Sequence, residues 1–304
     1  MVKEGTAGLP VPFQIVVGTI QGWPAIRANV ASFQIAAEAV GGELIVEDGS
    51  GRPSPPPDEI GARTVWLSEP GRSVFQLRRL GYGRARGGIV AITEDHCFVP
   101  DDWGLRILRA HTEHPEASVI GGAVENAATG NLIDWASFFV VQAAFMPPIG
   151  SGPTRRLAGA VNVSYKPRAL EALADHEGMG AMDVLHQAML RERGEALWAD
   201  DRIRVSHHQS LGVRATTAIH FHAGRTMSGF RRQHMTPYQW LRAGGSFAVP
   251  IARLARILVI GARKGYIGQL LPSLPWVAWL LYSQACGQFL GYAFGPGDSP
   301  HKVQ

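Results

Sequence analysis

The sequence predicts an α/β fold: a mainly parallel sheet with helices on both faces, followed by a helical C-terminal region of different character. Three observations predict it. Short runs rich in Val and Ile alternate with segments of helical apolar spacing. Three of those runs end in polar residues, where open α/β sheets bind their ligands. The charge also divides sharply near Arg202.

In chain order, Phe13–Gly18 (FQIVVG) is a buried strand, an apolar run closed by Gly. Trp23–Val40 has helical spacing at Ile26, Val30, Phe33, Ile35 and Ala36. Glu43–Val46 is a second strand, stopped by Asp48-Gly49-Ser50-Gly51. Four prolines within Gly51–Pro57 remove donors and fix φ, which leaves only a loop. Thr64–Leu67 is a third strand, Ser73–Leu80 a helix and Ile89–Thr93 a fourth strand. Beyond these, Trp103–His111 predicts a helix, and Ser118–Val124 and Gly159–Tyr165 predict strands. Two more helices follow, from Pro167 to about Asp175 and over Met182–Arg193, where Gly194 ends the pattern.

With 304 residues, 46% of them hydrophobic and 18% charged, the chain can bury a core and is not disordered. Two cysteines, Cys97 and Cys286, exclude a disulfide scaffold. Met1–Pro10 has no apolar core, so no secretory signal is expected. The net charge of +4 hides an asymmetry: seventeen basic and twenty-four acidic residues precede Arg202. From Arg202 onward there are twelve basic residues and one acid, Asp298. An acidic body with a basic tail region points to an anionic surface, lipid or nucleic acid.

Thr93-Glu94-Asp95-His96 carries the clearest chemistry. Two carboxylates and an imidazole at a strand end suit Mg²⁺ or Mn²⁺, and the His leans toward Mn²⁺. Two other motifs carry less. Gly81-Tyr82-Gly83 precedes a strand and not a helix, so it is no dinucleotide fingerprint. In Gln239-Trp240-Leu241-Arg242, Ala243 stands where processive synthases have Trp.

Taken together, VVGTIQGW (Val16–Trp23), ELIVEDGS (Glu43–Ser50), LRRLGYGRARGGIVAITEDHCFVPDDW (Leu77–Trp103), AGAVNVSYKPRAL (Ala158–Leu170) and MDVLHQAMLRERG (Met182–Gly194) resemble the family 2 glycosyltransferases. These are nucleotide-sugar-dependent enzymes of GT-A fold, and the stretches keep the family's order over roughly 200 residues. The resemblance implies a catalytic domain over 1–210, with a nucleotide-binding half at 1–100 and an acceptor half at 101–210. It implies that Thr19, Asp48, Arg78 and Glu94 serve the nucleotide sugar. Asp95 falls on the metal-reaching Asp of the family's Asp-x-Asp motif, with Thr93 in place of the first Asp. His207, at the end of a later strand (Val205–His208), faces the donor phosphates or completes the metal shell. Counting back eleven residues from Gly194 places the catalytic base on Asp183, with Met182 where the family has Glu. The implied reaction is an inverting transfer with Mg²⁺ or Mn²⁺, in which Asp183 takes the proton of an acceptor hydroxyl. The replacements at Thr93 and Met182 also fit a second reading, a degenerate GT-A domain that binds a nucleotide sugar or a partner without catalysis. A sugar-nucleotide pyrophosphorylase is disfavoured, because no Gly-rich loop bearing Lys or Arg follows the first strand.

Residues 211–304 form the second region. At 100° per residue, Arg253, Arg256, Arg263 and Lys264 of Ile251–Lys264 cluster within about a third of the helix circumference, as in a helix lying on anionic lipid. Gly265–Gly297 then runs 33 residues without a charge, and Leu274 to Phe294 is long enough for one membrane span or an interfacial hairpin. Gly287, Gly291 and Gly295 at four-residue spacing offer a flat face for close helix contact, within the chain or with a second copy. The apolar run fits lipid better than nucleic acid. A place on the cytoplasmic face of the cell membrane is therefore expected, next to a glycan or lipid-linked acceptor.

Overall fold

The computed structural model describes residues 11–174, 183–232 and 238–303. Its strands, numbered below in chain order, join in one sheet. The first half is β1 (Phe13–Thr19), α1 (Arg27–Glu38), β2 (Glu43–Asp48), β3 (Thr64–Ser68), α2 (Val74–Arg84), β4 (Ile89–Glu94) and β5 (Cys97–Phe98). Strands β1 to β4 pair in parallel with one another, as expected. Alternate residues of these strands enter different cores. Ile15, Val17, Leu44, Val46 and Ala91 face one, and Val16, Ile45, Val90 and Ile92 face the other. Burial on both faces is why these strands read as continuous apolar runs.

The second half is α3 (Trp103–Glu113), β6 (Ala117–Asn126), α4 (Leu132–Gln142), β7 (Gly152–Pro153), β8 (Val163–Tyr165), α5 (Pro167–Ala174), α6 (Asp183–Glu192) and β9 (Ala196–His207). Here the sheet is mixed: β8 runs antiparallel between β4 and β6, whereas β6 and β9 are parallel. The expected strand Gly159–Tyr165 is cut short, because Gly159–Val161 coil into a tight helical turn. Asn162 explains the break. Buried, it donates to the carbonyls of Ala123 and Ile203 and accepts from Trp103 Nε1, so it ties β6, β9 and α3 together.

The C-terminal region is helical: α7 (Gly212–Arg232), α8 (Gln239–Gly245), α9 (Val249–Arg263) and α10 (Ile267–Phe294). Among the described residues, no helix is long and apolar enough to cross a membrane, which corrects the expected span. Instead α10 packs against α7, α4, α8 and α9, and Val277, Leu280 and Leu281 join the main core. The glycine stripe makes the contact with α7 inside the chain. A Cβ on Gly287 would collide with the Phe221 carbonyl oxygen, one on Gly291 with that of Arg225, and one on Gly224 with that of Gln284. Gly295 is different: its φ of 86° ends the helix. The basic stripe of α9 is corrected too. Arg253 donates to Gln284 and to the Val140 carbonyl, and Lys264 donates to the carbonyls of Ala144 and Met146. Two of the four expected lipid-facing cations are therefore engaged within the chain, by α4, α10 and the turn after α4.

Candidate active site

Strands β1 and β4 end side by side, and Gly18 pairs with Glu94 in register. The end of β9 reaches the same place, because β5 pairs Cys97 with His207. These three strand ends, with Arg78 from α2, bring together five of the residues singled out from the sequence: Thr19, Arg78, Glu94, Asp95 and His207.

They form one chain of contacts. Arg78 donates to Glu94 Oε1 at 2.8 Å. Glu94 Oε2 lies 3.3 Å from His96 Nε2 and 3.6 Å from His207 Nε2, and these two nitrogens face each other at 2.9 Å. His96 Nδ1 lies 2.9 Å from Asp95 Oδ1, and the Thr19 hydroxyl donates to Asp95 Oδ2 at 2.6 Å. Asp95 thus orients His96, and the ligand atoms that converge belong to Glu94, His96 and His207, all within 4.8 Å of one another. Two imidazole nitrogens meeting head-on need either one shared proton or a cation that both lone pairs can face. A carboxylate behind a histidine fixes its tautomer in the manner of metal-binding histidines. The donor set fits a divalent transition ion.

Local electrostatics agree with a site built for charge. Burial alone would raise Glu94, but hydrogen bonds with His207 and His96 and the charge of Arg78 hold it well below the ordinary carboxylate range. Burial disfavours a charged His96, yet its bonds to Asp95 and Glu94 lift it to about 10. His207 is pushed down, by burial first and by the charge of His96.

The remaining predicted residues sit apart. Asp48 pairs in register with Thr19, but its carboxylate accepts from Ser50 N at 2.8 Å and Trp66 Nε1 at 3.2 Å. Asp183 opens α6, and its side chain, like Met182, lies outside the described residues.

A cleft of about 300 Å³ opens beside Glu94, His96 and His207, walled by Phe138 and Val141 of α4 and Ile219, Ala223 and Met227 of α7. Neither wall was foreseen. Helix α4 (LIDWASFFVVQ) is apolar almost all round, so it has no amphipathic period. Helix α7 buries Thr216, His220, Gly224, Thr226, Ser228 and Gly229, a face too small and polar for a hydrophobic pattern. His96 was visible in the motif beside Asp95, but its convergence with His207 depends on β5 and β9, which are distant in sequence.

No protein-family model matches the sequence, and no curated protein matches it. Solved structures do match. The mannosyltransferase PcManGT from Pyrobaculum calidifontis, in complex with GDP-Man and Mn²⁺, superposes with a TM-score of 0.56 at 14% identity, over 96% of this chain and 91% of that one. Residues 1–349 of TarS from S. aureus, in complex with UDP-GlcNAc, superpose with a TM-score of 0.51 at 12% identity, over 93% and 92%. The chain has the GT-A glycosyltransferase fold. A mycobacterial protein superposes as well, with a TM-score of 0.50 at 11% identity over 72% of this chain and 74% of that one. In this GT-A fold the Glu94–His96–His207 cluster stands at the carboxyl ends of the strands, where open α/β sheets bind their ligands.

Proposed function

We propose that the protein is an inverting, metal-dependent glycosyltransferase. It moves a sugar from a nucleoside-diphosphate sugar to a hydroxyl of a glycan or lipid-linked acceptor at a membrane surface. The observation that carries this reading is the convergence of Glu94, His96 and His207 at the strand ends of a GT-A fold. Two nitrogens and one oxygen favour Mn²⁺ over Mg²⁺, which prefers oxygen ligands. Glu94, His96 and His207 would hold the cation, which would supply positive charge for a leaving diphosphate. Thr19 and Asp95 hold His96 in the orientation the site needs. Arg78 and Asp48 serve the nucleotide, and Asp183 takes the acceptor proton as that oxygen attacks the anomeric carbon. For the membrane, Trp240, Leu241, Phe247 and Ile251 are exposed on α8, α9 and the turn between them, and Arg242, next to Leu241 in the sequence, is exposed too.

A panel of nucleoside-diphosphate sugars tests the reaction. Mn²⁺-dependent transfer is expected from at least one donor, and Asp95→Asn or Asp183→Asn should nearly abolish it with the far-UV spectrum unchanged. Near-normal turnover in either variant removes that residue from the mechanism. Donor binding without hydrolysis or transfer to any acceptor makes the chain a nucleotide-sugar-binding module.

A further inference from the structure

Away from Glu94 the cleft continues into a second chamber of about 350 Å³, and the two share Phe75, Val141, Gln142, Ala223, Met227 and Val303 as walls. The two ends differ in charge. Glu94, its ion-pair partner Arg78, and Asp134 line the first chamber, whereas the second has Arg155, Arg156 and Arg191 and no carboxylate among its described lining residues. Arg156 also lines a neighbouring recess with Arg256 and Lys264. Crowding of like charges is felt there: burial first, then Arg256 and Arg231, lower Arg156 from its ordinary value. Among the described residues, no hydrogen bond or ion pair engages the guanidinium groups of Arg155, Arg156, Arg231 or Arg256. Unpaired cations gathered beside a cleft are a site for an anion of more than one charge.

Two buried polar groups point to a ligand independently of the arginines. Gln142 is 3% exposed and its Oε1 has no hydrogen-bond partner; it lines both chambers. Thr226 is 1% exposed, its hydroxyl has no partner, and it lines the second chamber. Leaving such groups unsatisfied costs about 1–3 kcal/mol each, which a ligand hydroxyl or phosphate oxygen would recover. Between the polar groups the wall is apolar, with Phe75, Val141, Ala223, Met227 and Val303.

We infer that the second chamber binds an amphipathic phosphate ester, its phosphate on Arg155 and Arg156 and its hydrocarbon chain along the wall of Val141, Ala223 and Met227. As the acceptor site it rests on the glycosyl-transfer reading; as a binding site it does not. The shared chemistry could come from a lipid phosphate or from a soluble phosphate ester, and chain length separates the two.

Calorimetry on the full chain, without donor or metal, uses octyl phosphate below its micellar concentration, inorganic phosphate and octanol as probes. Octyl phosphate should bind at least about ten-fold more tightly than either of the others. The double variant Arg155→Gln/Arg156→Gln should lose at least about ten-fold in octyl phosphate affinity. It should keep the wild-type thermal midpoint and Mn²⁺ affinity. Met227→Gln should weaken octyl phosphate and leave inorganic phosphate unchanged. Equal binding of octanol overturns the anion site, and equal binding of inorganic phosphate overturns the amphipath in favour of a soluble ester. Unchanged affinity in the double variant overturns the assignment of the arginines. Displacement of octyl phosphate by a nucleoside diphosphate overturns it too, giving them to the donor. Mn²⁺ affinity is read in a separate titration, and an absence of Mn²⁺ binding to wild type there would sink the metal reading alone, because the octyl phosphate titrations contain no metal.

Discussion

His111 is the histidine with the simplest acid–base consequence. It lies buried in α3 with Nε2 2.9 Å from Ser164 Oγ, and the Ser164 hydroxyl donates onward to the Ile120 carbonyl. The ring must therefore donate through Nε2, and its Nδ1 has no partner. Burial, with the charge of Lys166 added, drives its pKa down to about 3. An unfolded His titrates near 6.5, so the neutral ring stabilises the fold above that pH, and the contribution is lost as pH falls from 6.5 toward 3. The loss is about 1.4 kcal/mol per pH unit in that window. His220, lowered to about 4 by burial and then Arg253, adds a second group of the same sign. His111→Gln should flatten the acid limb of a thermal-midpoint profile between pH 6.5 and 4.5; limbs that superpose would refute this. At this scale the sequence exposed the motif Thr93–His96, because adjacent residues carry it. It could not expose what Asp95 does, since the partner of each Asp95 oxygen depends on Thr19, 76 positions away, and on the ring orientation of His96.

Elements whose burial is uniform or strictly periodic were legible. Strands β1, β2 and β4 announced themselves because both faces are buried. The helix predicted over Ser73–Leu80 is present and runs on to Arg84; Ser73 caps it in a reciprocal box with Gln76. Helices α4 and α7, which wall the cleft, stayed hidden because their contacts are made by an all-apolar surface in one and by small and polar residues in the other. The glycine spacing in α10 was legible as a contact face, and α7 turns out to be its partner. Gly287→Leu should therefore destabilise the fold by roughly 1–3 kcal/mol or more, the cost of overpacking a closed interface. Gly268→Leu, on the same helix with open space around it, should cost far less. Similar denaturation midpoints for the two variants would contradict the packing described.

On the scale of the whole molecule, the division of charge near Arg202 holds in the sequence but not as a simple outer stripe. Arg253 and Lys264 turn inward, while Trp240, Leu241, Ile251 and Phe294 remain exposed, as does Arg242 next to Leu241. Membrane contact through this face predicts co-flotation with vesicles of phosphatidylcholine and phosphatidylglycerol, weakened by high salt and by Trp240→Ala/Leu241→Ala. Failure to float with anionic vesicles, or indifference to the double substitution, would remove the membrane from the reading. The seam between α7 and α10 has one more consequence. Where backbone lies against backbone there is no side-chain slack to rearrange, so the two helices move as a single plate. The cleft wall bearing Ile219, Ala223 and Met227 is the outer face of that plate. A wall of that kind predicts a cleft that selects its guest by girth, where a softer wall would stretch to admit a thicker one.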